Sequence, residues 1–119
     1  MKLGPAGEKT AARALQRSGY RILVRNFRCP AGEVDLIALD GDTIVFVEVK
    51  ARRSDRAADP EVNVTRQKRR QVTRAAQYYL MQHGLQNRPC RFDVVAVVLP
   101  GEGEPQVEHF VDAFEATSR

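Results

Sequence analysis

Apolar residues recur at two different periods along this chain, and the switches between them mark its elements. Ala11, Ala12, Ala14 and Leu15 fall at helical spacing, so residues 4–18 read as a helix stopped by Gly19. Tyr20 to Arg25 (YRILVR) then reads as a strand, and Pro30 breaks regular structure in a turn at Asn26 to Ala31. Gly32 to Leu39 (GEVDLIAL) is a second strand and Thr43 to Lys50 (TIVFVEVK) a third, joined by a tight turn at Asp40-Gly41-Asp42. Residues 51–63 have no apolar period and are expected to form a mobile loop. Helical spacing returns at Val72, Ala75, Ala76, Tyr79 and Leu80, with Thr65 as N-cap and Gly84 as stop. Phe92 to Leu99 (FDVVAVVL) has the continuous apolar character of a buried central strand, and a short strand follows near Val107 to Val111.

The order is α-β-β-β-α-β-β. It predicts an α/β fold, a mixed central sheet flanked by helices, in one domain over residues 1–119. Neither apolar run, Thr43 to Val47 or Val94 to Leu99, is long enough to span a bilayer. Glu8, Lys9 and Arg13 interrupt the N-terminal stretch, which therefore lacks the apolar region of a secretory signal. With only Cys29 and Cys90, the expectation is a reducing, cytoplasmic setting without a disulfide framework.

Charge changes the picture when divided along the chain. The net charge of +4 separates into +6 over residues 1–30, −3 over 31–60, +5 over 61–90 and −4 over 91–119. Basic segments favour a polyanion and acidic clusters favour a cation; a metal-dependent enzyme acting on nucleic acid needs both. Solvated charged faces are the competing explanation.

Side chains alternate faces along a strand, so Glu48 and Lys50 point the same way about 6–7 Å apart. On the preceding strand, Glu33, Asp35, Ile37 and Leu39 are expected to share a face. If Gly41-Asp42 form the hairpin loop, Asp35 lies directly opposite Glu48; if Asp40-Gly41 form it, the two are diagonal. Glu8 extends the stripe of Ala11, Ala12 and Leu15, which should face the sheet; an acid beside a helix N-terminus is also stabilising in its own right. Converging carboxylates repel unless neutralised, and Mg²⁺ or Mn²⁺ would accept them together with phosphate oxygens. Such an ion polarises a phosphoryl oxygen, and Lys50 would position water or stabilise transition-state charge. The competing reading is a surface salt-bridge cluster of Glu33 or Glu48 with Lys50.

Lys68 continues the apolar stripe of the second long helix one turn towards its N-terminus and should emerge near the sheet end. Arg66, Arg69, Arg70 and Arg74 line its other faces, and Arg52, Arg53 and Arg56 follow Lys50 in the expected loop. Such residues suit salt-dependent contacts to a nucleic-acid backbone. Asp93 reads as a buried hydrogen-bonding carboxylate, with a peripheral place in the site as the alternative, and His109 as a surface residue.

The run from Gly7-Glu8 through NFRCPAGEVDLIALDGDTIVFVEVKAR to VTRQKRR and RFDVVAV resembles the YraN-like bacterial proteins, over about residues 4–115. That family is endonuclease-like and related to the archaeal Holliday-junction resolvases of the PD-(D/E)XK nuclease superfamily. The resemblance implies a restriction-endonuclease-like α-β-β-β-α-β core. It implies that Asp35, Glu48 and Glu8 hold Mg²⁺ or Mn²⁺, that Lys50 is the catalytic lysine of the Glu-Val-Lys motif, and that Lys68 contacts substrate. Val34 stands where the superfamily's namesake proline would be. By the same resemblance the substrate is DNA, including branched or structured DNA, and water attacks in line to leave a 5′-phosphate. Branched DNA would call for a symmetric homodimer. The alternative function is a nucleic-acid-binding module with an inactive or structural metal site; a third is an interaction protein that binds no nucleic acid.

Overall fold

A computed structural model describes residues 4–54 and 64–117. Helix α1 (Gly4–Arg17) precedes strands β1 (Arg21–Cys29), β2 (Gly32–Asp40) and β3 (Thr43–Arg53). Helix α2 (Arg66–Gln82) then leads to β4 (Cys90–Leu99) and β5 (Gln106–Phe114). The strands form one sheet in sequence order, β1-β2-β3-β4-β5. Pairing is antiparallel except between β3 and β4, which run parallel because α2 carries the chain back across the sheet.

The two helices cover opposite faces. Val72, Ala75, Ala76 and Tyr79 of α2 pack on Val34, Ile37, Phe46, Phe92 and Val94. Ala11, Ala12 and Leu15 of α1 pack on Leu36, Val45, Val47, Val95 and Val97. β3 and β4 are therefore apolar on both faces, which explains their nearly continuous runs of branched residues. The predicted N-cap is in place: Thr65 Oγ1 accepts the backbone N–H of Lys68 at 3.1 Å.

Strands β1, β3 and β5 outrun the sequence expectation most, and β4 begins at Cys90 rather than Phe92. β1 continues to Cys29, so the expected turn at 26–31 shrinks to Pro30-Ala31. β3 continues to Arg53, because β4 offers it a partner at every step from Ala51↔Val97 to Arg53↔Leu99. Ala51, Arg52 and Arg53 thus belong to a strand rather than to the start of a 51–63 loop; residues 55–63, with Arg56, lie outside the described residues. β5 is longer than 107–111 because it bulges opposite Asp93, where its register jumps from Phe92↔Phe114 to Val94↔Phe110.

Strict alternation also fails in β1 and β2. Val34 and Ile37 both face α2, although three residues apart, and Leu36 between them faces α1. Across the ladder Val24 and Phe27 repeat the same slip, with Asn26 in the left-handed region at φ 56°. Asn tolerates that conformation better than most residues. The kink lies beside Asp35, and Val34 rather than Glu33 shares the face of Ile37 and Leu39. Glu33, expected on that face, is half-exposed at the rim.

Candidate active site

The β2–β3 hairpin closes across Gly41-Asp42, with Asp40 opposite Thr43 and Leu36 opposite Val47. This is the first of the two registers considered, and its next step brings Asp35 to the level of Glu48. Regular pairing stops there. The Val49 N–H donates to Asp35 Oδ2 at 2.8 Å, so a side chain takes over from the backbone ladder.

Glu48 is 2% exposed, between the sheet and α2. Neither of its carboxylate oxygens has a hydrogen-bond donor at bonding geometry. Lys68 Nζ lies 3.3 Å from Oε1, an ion pair rather than a well-aligned hydrogen bond. Burial, reinforced by the neighbouring Asp35 carboxylate and only partly opposed by Lys68, pushes the Glu48 pKa up to about 8. Burial works against the Lys68 ammonium too, but Glu48, Asp35 and Glu33 outweigh it and its pKa is raised. A buried carboxylate with both oxygens unbonded is costly in a folded core.

Glu8 is brought to the same place by α1. A Cβ on Gly7 would lie 2.6 Å from Ala51 Cβ, so only glycine lets the first turn of α1 sit this close to β3. Glu8 follows, half-buried, and its pKa is raised by burial and by Asp35, while Arg28 opposes the shift. Gly32 plays the matching part on the other side: a Cβ there would lie 2.5 Å from the Gln71 carbonyl oxygen of α2. Glu33, the next residue, pairs with Lys68 Nζ and with Arg28 Nε, each at 3.6 Å. Lys50 stands two residues beyond Glu48 on β3, half-buried at the level of Ala96.

The structure thus brings Glu8, Asp35, Glu48 and Lys68 to one end of the β2–β3 seam, with Lys50 two residues further along β3. Arg66 is exposed on the first turn of α2, and Arg70 is half-buried on its second. Arg69 lines a separate depression with Val64, Phe110 and Phe114, over β5. Arg52 and Arg53 lie at the end of β3, and Arg52 Nη1 donates to the Arg53 carbonyl at 3.2 Å.

The donor set suits a hard cation: two carboxylates at adjacent strand positions, one of them buried with unbonded oxygens, and a third acid, Glu8, close enough to feel Asp35. Among the described residues no three His, Cys, Asp or Glu side chains are drawn together into a preformed metal cage. The arrangement is a carboxylate pair with Glu8 beside it.

A second polar cluster was only partly legible. Asp93 is fully buried, as its lone place in an apolar strand suggests, and accepts from four donors. These are Arg91 Nε (3.0 Å) and Nη2 (3.2 Å), the Asp112 N–H (2.9 Å) and, at 2.7 Å, His109 Nε2. Arg91 also reaches Asp40 Oδ2 at 3.0 Å and the Tyr20 hydroxyl. His109 is therefore a bound partner of Asp93, not the surface residue expected; its side chain is 21% exposed. No local signal couples residues this far apart in sequence, since the β5 bulge creates the contact.

No helix among the described residues is long and apolar enough to cross a membrane. The family model described as "Uncharacterised protein family UPF0102" matches residues 7–97, which span α1 through most of β4. A UPF0102 protein of Geotalea uraniireducens is 49% identical over 113 residues, covering 95% of this chain and 89% of that relative. One from Syntrophus aciditrophicus is 48% identical over 115 residues (97% and 90%), and one from Moorella thermoacetica 52% over 96 residues (81% and 80%). With a family model matching most of the chain and relatives about half identical over nearly its whole length, the chain belongs to the UPF0102 family.

Proposed function

We propose that this protein is a divalent-metal-dependent endonuclease that hydrolyses phosphodiesters of DNA, with structured or branched DNA among its substrates. One observation carries the reading: Glu48 is a buried carboxylate whose two oxygens lack hydrogen-bond donors, beside the Asp35 carboxylate. A fold keeps such a group when a ligand satisfies it.

Asp35 and Glu48 would hold Mg²⁺ or Mn²⁺, with Glu8 as the outer acid. When bound, such an ion polarises a phosphoryl oxygen and acidifies water. Val49 keeps the Asp35 carboxylate in place through its N–H. Lys50 orients the attacking water or stabilises charge on the phosphoryl oxygens. Lys68 shares its charge between Glu48 and Glu33 and would turn towards phosphate once Glu48 is neutralised from elsewhere. Arg52, Arg53, Arg66, Arg69 and Arg70 would add sequence-independent backbone contacts. The reading places the protein in the cytoplasm, in keeping with two unpaired cysteines, and a homodimer would present two sites to a branched substrate.

A second reading is a nucleic-acid-binding module whose site does no chemistry. The Lys68–Glu48 ion pair favours it, since a built-in ammonium already offsets part of the charge a metal would offset.

Calorimetric titration of Mg²⁺ and Mn²⁺ into wild type and Asp35→Ala, followed by cleavage assays on a four-way junction, duplex and single strand, separates the two. Metal binding and cleavage lost together in the variant are expected. DNA binding with neither metal binding nor cleavage in wild type would overturn the nuclease reading in favour of the second.

A further inference from the structure

A groove of about 480 Å³ opens beside the acid pair, between the β1–β2 turn and α2. Arg28, Glu33, Gln71 and Arg74 line it, together with the turn backbone from Pro30 to Gly32. Ion pairs connect its wall to the site. Glu33 on its wall pairs with Lys68, and Lys68 pairs with the buried Glu48. The Gly32–Gln71 contact fixes how closely its two walls approach.

The groove wall supplied by α2 continues along the helix. Gln71, Arg74 and Tyr78 follow at spacings of three and four, which puts them on one narrow stripe. All three are exposed, Tyr78 by 40%. The stripe begins one turn beyond Lys68, and Lys68 to Tyr78 covers about 15 Å of helix. The order away from the acids is a cation, an amide, a second cation facing Arg28, and then an aromatic ring.

We infer that this groove and the α2 stripe are the track of a single DNA strand leaving the active site, with Arg28 and Arg74 on its phosphates and Tyr78 stacked on a base. The inference rests on the nuclease reading and narrows its substrate class. Two arginines, Arg28 and Arg74, line the groove against one carboxylate, Glu33, which suits a polyanion. An aromatic side chain offers its face to a base only when that base is unstacked, and duplex bases are not. The favoured substrate therefore has an unpaired segment next to the scissile phosphate: a single strand, a flap or an opened junction arm.

The test is fluorescence anisotropy with a labelled single strand and the matching duplex, in EDTA so that nothing is cleaved. Wild type, Tyr78→Ala, Tyr78→Phe and Arg28→Ala/Arg74→Ala are compared. Wild type should prefer the single strand. Tyr78→Ala should weaken single-strand binding by about 5- to 150-fold and leave duplex binding unchanged, while Tyr78→Phe retains it. The double arginine variant should lower the salt dependence on the single strand by a slope of about 1.4, two phosphate contacts' worth. Variants that bind the single strand like wild type would overturn the track, and so would a wild type that binds neither form. Metal-dependent cleavage measured alongside separates the two ideas. Cleavage lost in Asp35→Ala but untouched by the groove variants leaves the nuclease reading standing and the track fallen. Groove-dependent binding without any cleavage does the reverse.

Discussion

Val49 and Asp35 meet where the β2–β3 ladder gives way: the Val49 N–H points at Asp35 Oδ2 across 2.8 Å. One carboxylate oxygen thus completes the sheet. Asp35→Ala leaves the Val49 donor without its acceptor and should cost about 1–3 kcal/mol. Asp35→Asn keeps an acceptor and should cost under ~1 kcal/mol, yet abolish metal binding as fully as alanine. Urea unfolding beside calorimetric metal titration checks both; equal destabilisation by the two variants would refute the structural half of this role.

Glu48 should make the protein less stable as pH rises. Its folded pKa, about 8, stands above the ordinary value of 4.5, so the folded state holds a proton that the unfolded chain releases. The penalty is absent below pH 4.5, grows between 4.5 and about 8, and is complete above that. Glu48→Gln should remove this slope and be more stable than wild type at pH 8 without metal. Conversely, Mn²⁺ binding to wild type at pH 7 should release up to about one proton, read as a dependence of calorimetric heat on buffer ionisation.

Asp93 has the opposite sign. Bonds from His109, Arg91 and the Asp112 N–H outweigh burial and hold its carboxyl below its ordinary 3.8. Its stabilisation is present above pH 3.8 and is lost as pH falls through the lower folded value. Asp93→Ala at pH 7 leaves Arg91 without its principal partner and should cost about 3–5 kcal/mol. Acid unfolding followed by circular dichroism should then start from lower stability but fall less steeply below pH 3.8. A parallel curve would assign the acid sensitivity elsewhere.

Gly7 should tolerate no side chain unless Ala51 yields. Gly7→Ala places a Cβ 2.6 Å from Ala51 Cβ and should destabilise by about 1–3 kcal/mol, despite alanine's better helix propensity. Pairing it with Ala51→Gly should recover much of the loss. A double-mutant cycle in thermal melts measures the coupling, and additive effects would mean that the two positions do not touch.

Element order, the Thr65 cap, a tight turn within Asp40-Gly41-Asp42 and the placement of Asp35, Glu48 and Lys50 on adjacent strands were all legible in the sequence. These depend on period, propensity and turn chemistry, which act over a few residues. The hairpin could be narrowed to two registers, and the tertiary structure selected the one that levels Asp35 with Glu48. β3 and β1 outran their apolar periods because a neighbouring strand supplied hydrogen-bond partners that no local pattern reveals. The kink beside Asp35, the bulge around Asp93 and the reach of Lys68 to Glu48 came only with the assembled sheet and helix. Sequence by itself determined which side chains share an element and, apart from such kinks, a face. Distance and loss of water arise when elements distant along the chain close on one another, and those turned an ordinary glutamate into a buried carboxylate with unbonded oxygens.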